Sequence, residues 1–265
     1  MKSYIPKVVP KPQISPKIGP NNTIFIVGSG PCLNDIDISK LSEANTFCMN
    51  RQYISFKDWG FQPTYYACMD RKLIATIHPD IKAIASDPKC EVEKFFIGEF
   101  GGNNPIKELE NVVSIPYMSN TINIPNSRLY QNKVLGYWGN CGAFCTTLAY
   151  YLGYRRIVLC GINANYSGRQ ESIIVGKDLE HYNPNYFHPD SFVEGKNQGS
   201  PDAMSSVDPW KYMKDGIKSP GIDPSEHSHL YGTAKIEGTD FEIISCSPGS
   251  AINNFFEYKE LEELI

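Results

Sequence analysis

Short apolar runs alternate with helically spaced stretches along most of this chain. TIFIVGSGP is an apolar run closed by glycines, and NTFCMN, TYYACMD, KFFIGEF and NVVSIP repeat the theme. Runs this short and this continuously apolar predict strands covered on both faces. Between them, Leu33 to Leu41 predicts a short helix and Arg51 to Trp59 a second. A third spans Arg71 to Ala85, with Leu73, Ile74, Ile77, Ile81 and Ile84 on one face and an interruption at Pro79. The clearest unit is NCGAFCTTLAYYLGYRRIVLCGIN: a helix from about Asn140 to Leu152, Gly153 as its C-cap, then a strand from Arg156 to Cys160. Further on come a short helix near His229–Ile236, the strand EIISCSP and a final amphipathic helix ending YKELEELI. Alternation of this kind predicts an α/β fold, a Rossmann-like, mostly parallel sheet with helices on both faces.

Two stretches break the alternation. Residues 1–22 carry Pro6, Pro10, Pro12, Pro16 and Pro20 and read as an extended, proline-rich leader. Residues 164–225 are rich in Asn, Pro, Ser, Gly and Tyr with little apolar periodicity, as in a functional lid. The expected organisation is therefore a leader and one domain, 23–265, with a lid inserted at about 164–225.

Composition narrows the function. The 265 residues fit one large domain or one with an insertion. Lys and Arg number 25 against 29 Asp and Glu, a net charge of -4, which argues against a non-specific nucleic-acid binder. Hydrophobic residues at 41% can build a core, and charged residues at 20% are too few for a disordered chain. No run approaches the length of a transmembrane helix, and the leader has no apolar secretion signal. Cys48, Cys68, Cys160 and Cys246 lie in or at the ends of apolar runs, where a thiol packs as a small hydrophobe. There is no C-x-x-C pair, and Cys141-x-x-x-Cys145 lacks a second pair to complete a zinc site. The expectation is no metal and a reducing, cytoplasmic compartment.

In an open parallel sheet, ligands bind outside the carboxyl ends of the strands. The residues there are Gly28-Ser29-Gly30-Pro31, Asn50-Arg51, Asp70-Arg71, Gly161-Ile162-Asn163 and Ser247-Pro248. Asn50, Asp70 and Asn163 recur at equivalent positions, which fits either helix caps or a shared ligand. GSGP lacks the third glycine of a dinucleotide fingerprint. Its glycines would let backbone approach a ligand, and a helix opening at Pro31 would favour an anion; a tight turn alone fits equally. Asn140-Cys141-Gly142 opens the other strong helix, as a phosphate or base site or as a simple Asn cap. Four of the five histidines, His181, His188, His227 and His229, fall in the irregular, Tyr-rich stretch or at its end. A histidine near its usual pKa of about 6.5 can deprotonate a hydroxyl at neutral pH.

In this order, GSGPCLNDID, FCMNRQY, YYACMD, NCGAFCTTLAYYLGYRRIVLCGIN and SCSPGSAINNFF resemble the bacterial CMP-sialic-acid-dependent sialyltransferases of glycosyltransferase family forty-two. They are also similar to the wider group of motility accessory factors and 6-hydroxymethylpterin pyrophosphokinase-like domains. The likeness covers about 23–163 and 228–257. It implies a Rossmann-like sheet with a lid, and metal-independent, inverting transfer from a CMP-sugar to a glycan acceptor, with no further cofactor. Matching motifs imply a nucleotide-binding turn over Gly28, Ser29, Gly30 and Pro31, in which Ser29 and Gly30 touch the phosphate and ribose, with serine where the family usually has asparagine. Asn50 would hold ribose or phosphate, and Arg51, where the family often has glutamine, would pair with a sugar carboxylate. Asp70 stands where asparagine is common, and its charge would repel such a carboxylate. Asn140, Cys141 and Gly142 match the stretch that reads cytosine, and Gly161 and Asn163 match the end of the next strand. Tyr166, with Tyr182 or Tyr186 as fallbacks, matches the donors to the leaving phosphate. His229 or His227 matches the base, with His181 as a rival.

Two other readings follow from the same residues. One is a pterin pyrophosphokinase using ATP and magnesium, which needs metal-binding carboxylates. The other is a catalytically inactive nucleotide- or glycan-binding module. In each case peripheral membrane contact and a homo-oligomer are left open.

Overall fold

The computed structural model describes residues 22–99, 104–116, 141–164, 210 and 242–265. Their eight strands form one sheet: β1 Thr23–Val27, β2 Thr46–Met49, β3 Tyr65–Cys68, β4 Lys94–Glu99, β5 Val112–Pro116, β6 Arg156–Cys160, β7 Glu242–Cys246 and β8 Glu257–Tyr258. The order is β5-β4-β3-β2-β1-β6-β7-β8, and every pairing is parallel. The α-helices among the described residues are α1 Phe56–Trp59, α2 Arg71–Ala85 and α3 Cys141–Tyr151, and Trp210 is helical as well. This is the α/β, Rossmann-like arrangement expected from the alternation of runs. No helix among the described residues is long and apolar enough to cross a membrane.

Alternate strand residues feed two cores, one on each face. Phe25, Val27, Cys48, Tyr66, Cys68, Val158 and Cys160 pack with Leu73, Ile74, Ile77 and Ile81 of α2 on one side. Ile24, Ile26, Phe47, Met49, Tyr65, Ala67, Ile157 and Leu159 pack with Phe144, Cys145 and Leu148 of α3 on the other. Each fully buried aliphatic or aromatic side chain contributes about 1.5–3 kcal/mol, so double-sided burial is what makes such short strands stable. α3 is buried at nearly every described position, because the second core encloses it. Trp210, from the stretch expected to be irregular, is fully buried there and meets Phe256 edge to face at 6.3 Å.

Several local expectations are corrected. The helix predicted over Leu33 to Leu41 is two short 3-10 turns, Pro31–Asp35 and Ile38–Leu41. The one over Arg51 to Trp59 is a 3-10 turn, Asn50–Ser55, leading into the single turn of α1. α2 runs unbroken through Pro79. Its neighbour His78 sets Nδ1 3.1 Å from the Ile74 carbonyl, one turn back. The expected C-terminal helix is instead β8 followed by a 3-10 turn, Leu261–Glu263. Of the leader only Asn22 is described; its carbonyl accepts from Arg155 N–H and Arg156 N–H, tying the start of β1 to the start of β6. The lid, apart from Ala164 and Trp210, and the helix near His229–Ile236 lie outside the described residues.

Candidate functional site

Strand order switches direction at β1: the chain runs outward through β2 to β5, then returns to place β6 on the other side. Loops leaving β1 and β6 therefore part at the carboxyl edge, the usual place for a ligand crevice. Here they are fastened together. Gly28 N–H donates to the Cys160 carbonyl and Gly30 N–H to the Gly161 carbonyl, both at 2.7 Å. Cys32 N–H donates to Asn163 Oδ1 at 3.2 Å.

This contact explains both glycines. A Cβ on Gly28 would lie 2.3 Å from Ile162 Cδ1, and one on Gly30 would lie 2.1 Å from Asn163 Oδ1. The face expected to admit a ligand is, on that side, occupied by the β6 loop. Gly161 turns with φ +66, and a Cβ there would meet the Gly28 carbonyl oxygen at 2.8 Å. The helix N-terminus expected at Pro31 is a correction too: a five-residue 3-10 turn begins there, and Asn163 occupies its Cys32 N–H. Pro31 at the start of this turn and Ser29 just before it are half-buried.

Asn163 thus caps a turn in another part of the chain, while its own carbonyl accepts from Ala251 N–H (2.9 Å) and Ser250 Oγ (2.7 Å). Asp70 caps α2 in the ordinary way, its Oδ1 accepting from Leu73 N–H at 3.0 Å. Asn50 behaves differently. It adopts φ +56, begins the 3-10 turn after β2, and accepts a hydrogen bond from Tyr66 Oη at its carbonyl. Its side-chain Oδ1 is shielded from solvent and has no hydrogen-bond partner among the described residues. A shielded acceptor left unmade costs about 1–3 kcal/mol. Arg51 beside it is half-buried, and its charge bears on the nearby Tyr53 phenol.

Cys141 brings the N-terminus of α3 to the same edge. Its Sγ is 3.9 Å from the Ala67 carbonyl near the end of β3, and it contacts the Cys145 thiol one turn on. Gly142 is buried, and its carbonyl accepts from Thr146 Oγ1 at 2.9 Å. Ser29, Asn50, Arg51, Asp70 and Cys141 therefore share one rim, at the carboxyl ends of β1, β2 and β3. Asn140, Tyr166, Tyr182, Tyr186, His181, His227 and His229 lie outside the described residues. Among the described residues, no three of His, Cys, Asp and Glu gather as a metal site.

Buried hydroxyls and one amide support this rim: Ser247, which the sequence placed at a strand end, and Ser250 and Gln52, which sequence reasoning missed. Ser247 Oγ donates to the Leu159 carbonyl (2.9 Å) and accepts from Ile162 N–H (3.0 Å). Ser250 Oγ reaches the Ile162 carbonyl at 2.5 Å. Gln52, 1% exposed, bonds both Met49 and Gly28. The only signal for Ser250 and Gln52 was polarity in otherwise buried stretches. Burial pushes the Cys32 thiol up to about 11, against a smaller opposing effect of its hydrogen bond with Ser247.

No protein-family model matches the sequence, and neither does any curated protein sequence. Among solved structures, the chain is similar to sialyltransferase CstII from Campylobacter jejuni in complex with the substrate analogue CMP-3FNeuAc. Identity is 15%, 89% of this chain and 84% of that one are covered, and the TM-score is 0.47. It is also similar to the monofunctional alpha-2,3-sialyltransferase Cst-I from the same organism, at 16% identity, 89% and 79% coverage and a TM-score of 0.46. Identities of this size leave the chemistry to be read from the chain's own residues.

Proposed function

We propose that this chain is a glycosyltransferase that binds a CMP-activated, sialic-acid-like sugar at the carboxyl rim of its sheet and passes it to a glycan hydroxyl. The observation that carries this reading is Asn50: an acceptor shielded from solvent and without a hydrogen-bond partner among the described residues, in a left-handed backbone, at the rim position where the resembling motif meets ribose or phosphate. A ribose hydroxyl would donate to Oδ1 and relieve the unmade bond, which a phosphate oxygen would not. Ser29 and the turn around it would lie along the phosphate, and Cys141 and Gly142 beside the base. Arg51 would face a sugar carboxylate, with the charge of Asp70 limiting how closely that carboxylate sits.

The reaction needs positioning and charge stabilisation more than covalent chemistry. His229, with His227 and His181 as rivals, takes the proton of the acceptor hydroxyl. That oxygen attacks the anomeric carbon from the face opposite the nucleotide. The bond from carbon to phosphate oxygen breaks, CMP leaves, and the configuration inverts. Tyr166 donates to the leaving phosphate in place of a divalent ion.

Calorimetric titration with CMP, and with ATP plus magnesium, tests the binding step. CMP is expected to bind in EDTA and ATP–magnesium not to, and Asn50→Ala should weaken CMP about tenfold while the fold is retained. Incubation with CMP-sugars, glycan acceptors and EDTA should release CMP. No CMP binding would sink the reading, and binding without turnover would leave a nucleotide-binding module instead.

A further inference from the structure

We infer that Gln52 is a positioning residue for the nucleotide site, its side-chain amide setting the spacing between the Gly28–Pro31 turn and Asn50. The inference rests on the reading that a CMP-sugar binds at this rim. Backbone pairing of β1 with β2 runs through Phe25 with Thr46 and Ile26 with Phe47. Just beyond, the two chains part into separate 3-10 turns. There Gln52 takes over: Oε1 accepts from Met49 N–H at 2.6 Å, and Nε2 donates to the Gly28 carbonyl at 2.6 Å. A side chain thus continues the ladder where the backbone stops.

The amide can do this in one orientation only. Reversed, it would set its NH2 against the Met49 N–H and its oxygen against the Gly28 carbonyl. At 1% exposure no water competes for either end, so each bond carries the full penalty of being broken. Gly28 is itself tied to Cys160 of β6, so the amide links the ends of three neighbouring strands, β2, β1 and β6. Asn50 is enclosed by this arrangement. Its neighbour Met49 and Gln52 are joined, and its carbonyl is held by Tyr66 Oη from β3. Its backbone is thereby kept at φ +56, a conformation that asparagine tolerates but that needs external support. A binding group is only as well placed as its supports, and a displacement of about 1 Å is enough to spoil such a site.

Gln52→Met fills similar volume with neither bond, and Gln52→Asn keeps the amide but is one methylene too short to reach both Met49 and the Gly28 carbonyl. Titrating wild type and both variants with CMP reads the affinity of the folded fraction, which a merely stabilising residue would leave unchanged. The expected result is CMP binding weakened about tenfold in both variants. Backbone amide spectra should also show Met49 exchanging faster and the Asn50 and Gly30 signals displaced. Wild-type affinity in a folded Gln52→Met chain would overturn the inference. Should that variant not fold, wild-type affinity in Gln52→Asn overturns it equally. If the wild type itself fails to bind CMP, the functional reading falls, and the amide spectra still decide. Selective change at Met49 and Asn50 supports positioning, and unchanged signals refute it.

Discussion

At Gly28 and Gly30 the space a methyl group would take is already filled by Ile162 and Asn163, whereas at Gly60 nothing lies within 4 Å. The two kinds of glycine should respond differently to alanine. Gly60→Ala meets only the cost of a side chain at φ +76, about 1 kcal/mol. Gly30→Ala must push the β6 loop away and break the Cys32–Asn163 bond as well, so its cost should reach at least about 2 kcal/mol. Urea denaturation of the two variants measures the difference, and equal losses would contradict the loop contact. The positions themselves were legible: glycines, Asn50, Asp70 and Asn163 all stand at strand ends in the sequence. What each side chain touches was not. Asp70 caps its own helix, a local event, but Asn163 caps a turn opened by Pro31, and no local pattern encodes a partner so distant along the chain.

Among elements, strands were read more accurately than helices, for a physical reason. Continuous apolar runs have one outcome when both faces are covered, and β1 to β7 all lie where such runs predict them. Apolar residues three apart suit a 3-10 turn as well as an α-helix, because positions i and i+3 then share a face. Leu261 and Leu264 are of this kind: both are buried, yet the turn between them is 3-10 and not α. Pro79 misled in the opposite direction. The apolar face of α2, through Leu73, Ile77 and Ile81, is anchored firmly enough in the first core to carry a proline that lacks the N–H for the Ala75 carbonyl. Restoring that donor with Pro79→Ala should raise stability by about 1 kcal/mol, measured by urea denaturation. A loss on this substitution would mean that the helix is shaped around the proline.

Across the whole molecule, the two enclosed cores place thiols and phenols out of water, and this sets its behaviour in alkali. Burial raises Cys32 from about 9 to about 11 and pushes Cys48, Cys68 and Tyr66 up as well. A raised folded pKa means that the unfolded chain releases its proton first. The stabilisation is fully present below about pH 9 and is lost as pH climbs towards 11 and beyond. The melting temperature should therefore be nearly flat from pH 7 to about 8.5 and fall steeply above it, less so in Cys32→Ala. Scanning calorimetry across that range checks this, and a flat profile to pH 11 would contradict the burial of these groups.

The place of β1, between β2 and β6, also bears on how the chain reaches this state. Its second neighbour is made late in synthesis: Cys32 and Asn163, which meet across that boundary, are 131 residues apart. Until β6 has left the ribosome, the most hydrophobic strand of the sheet has one side unpaired and ready to join any other exposed strand. Closure over so large a separation is slow, in the range of milliseconds to seconds. A nascent chain halted before Arg156 should accordingly be prone to aggregate and dependent on chaperones, a hazard created by strand order alone.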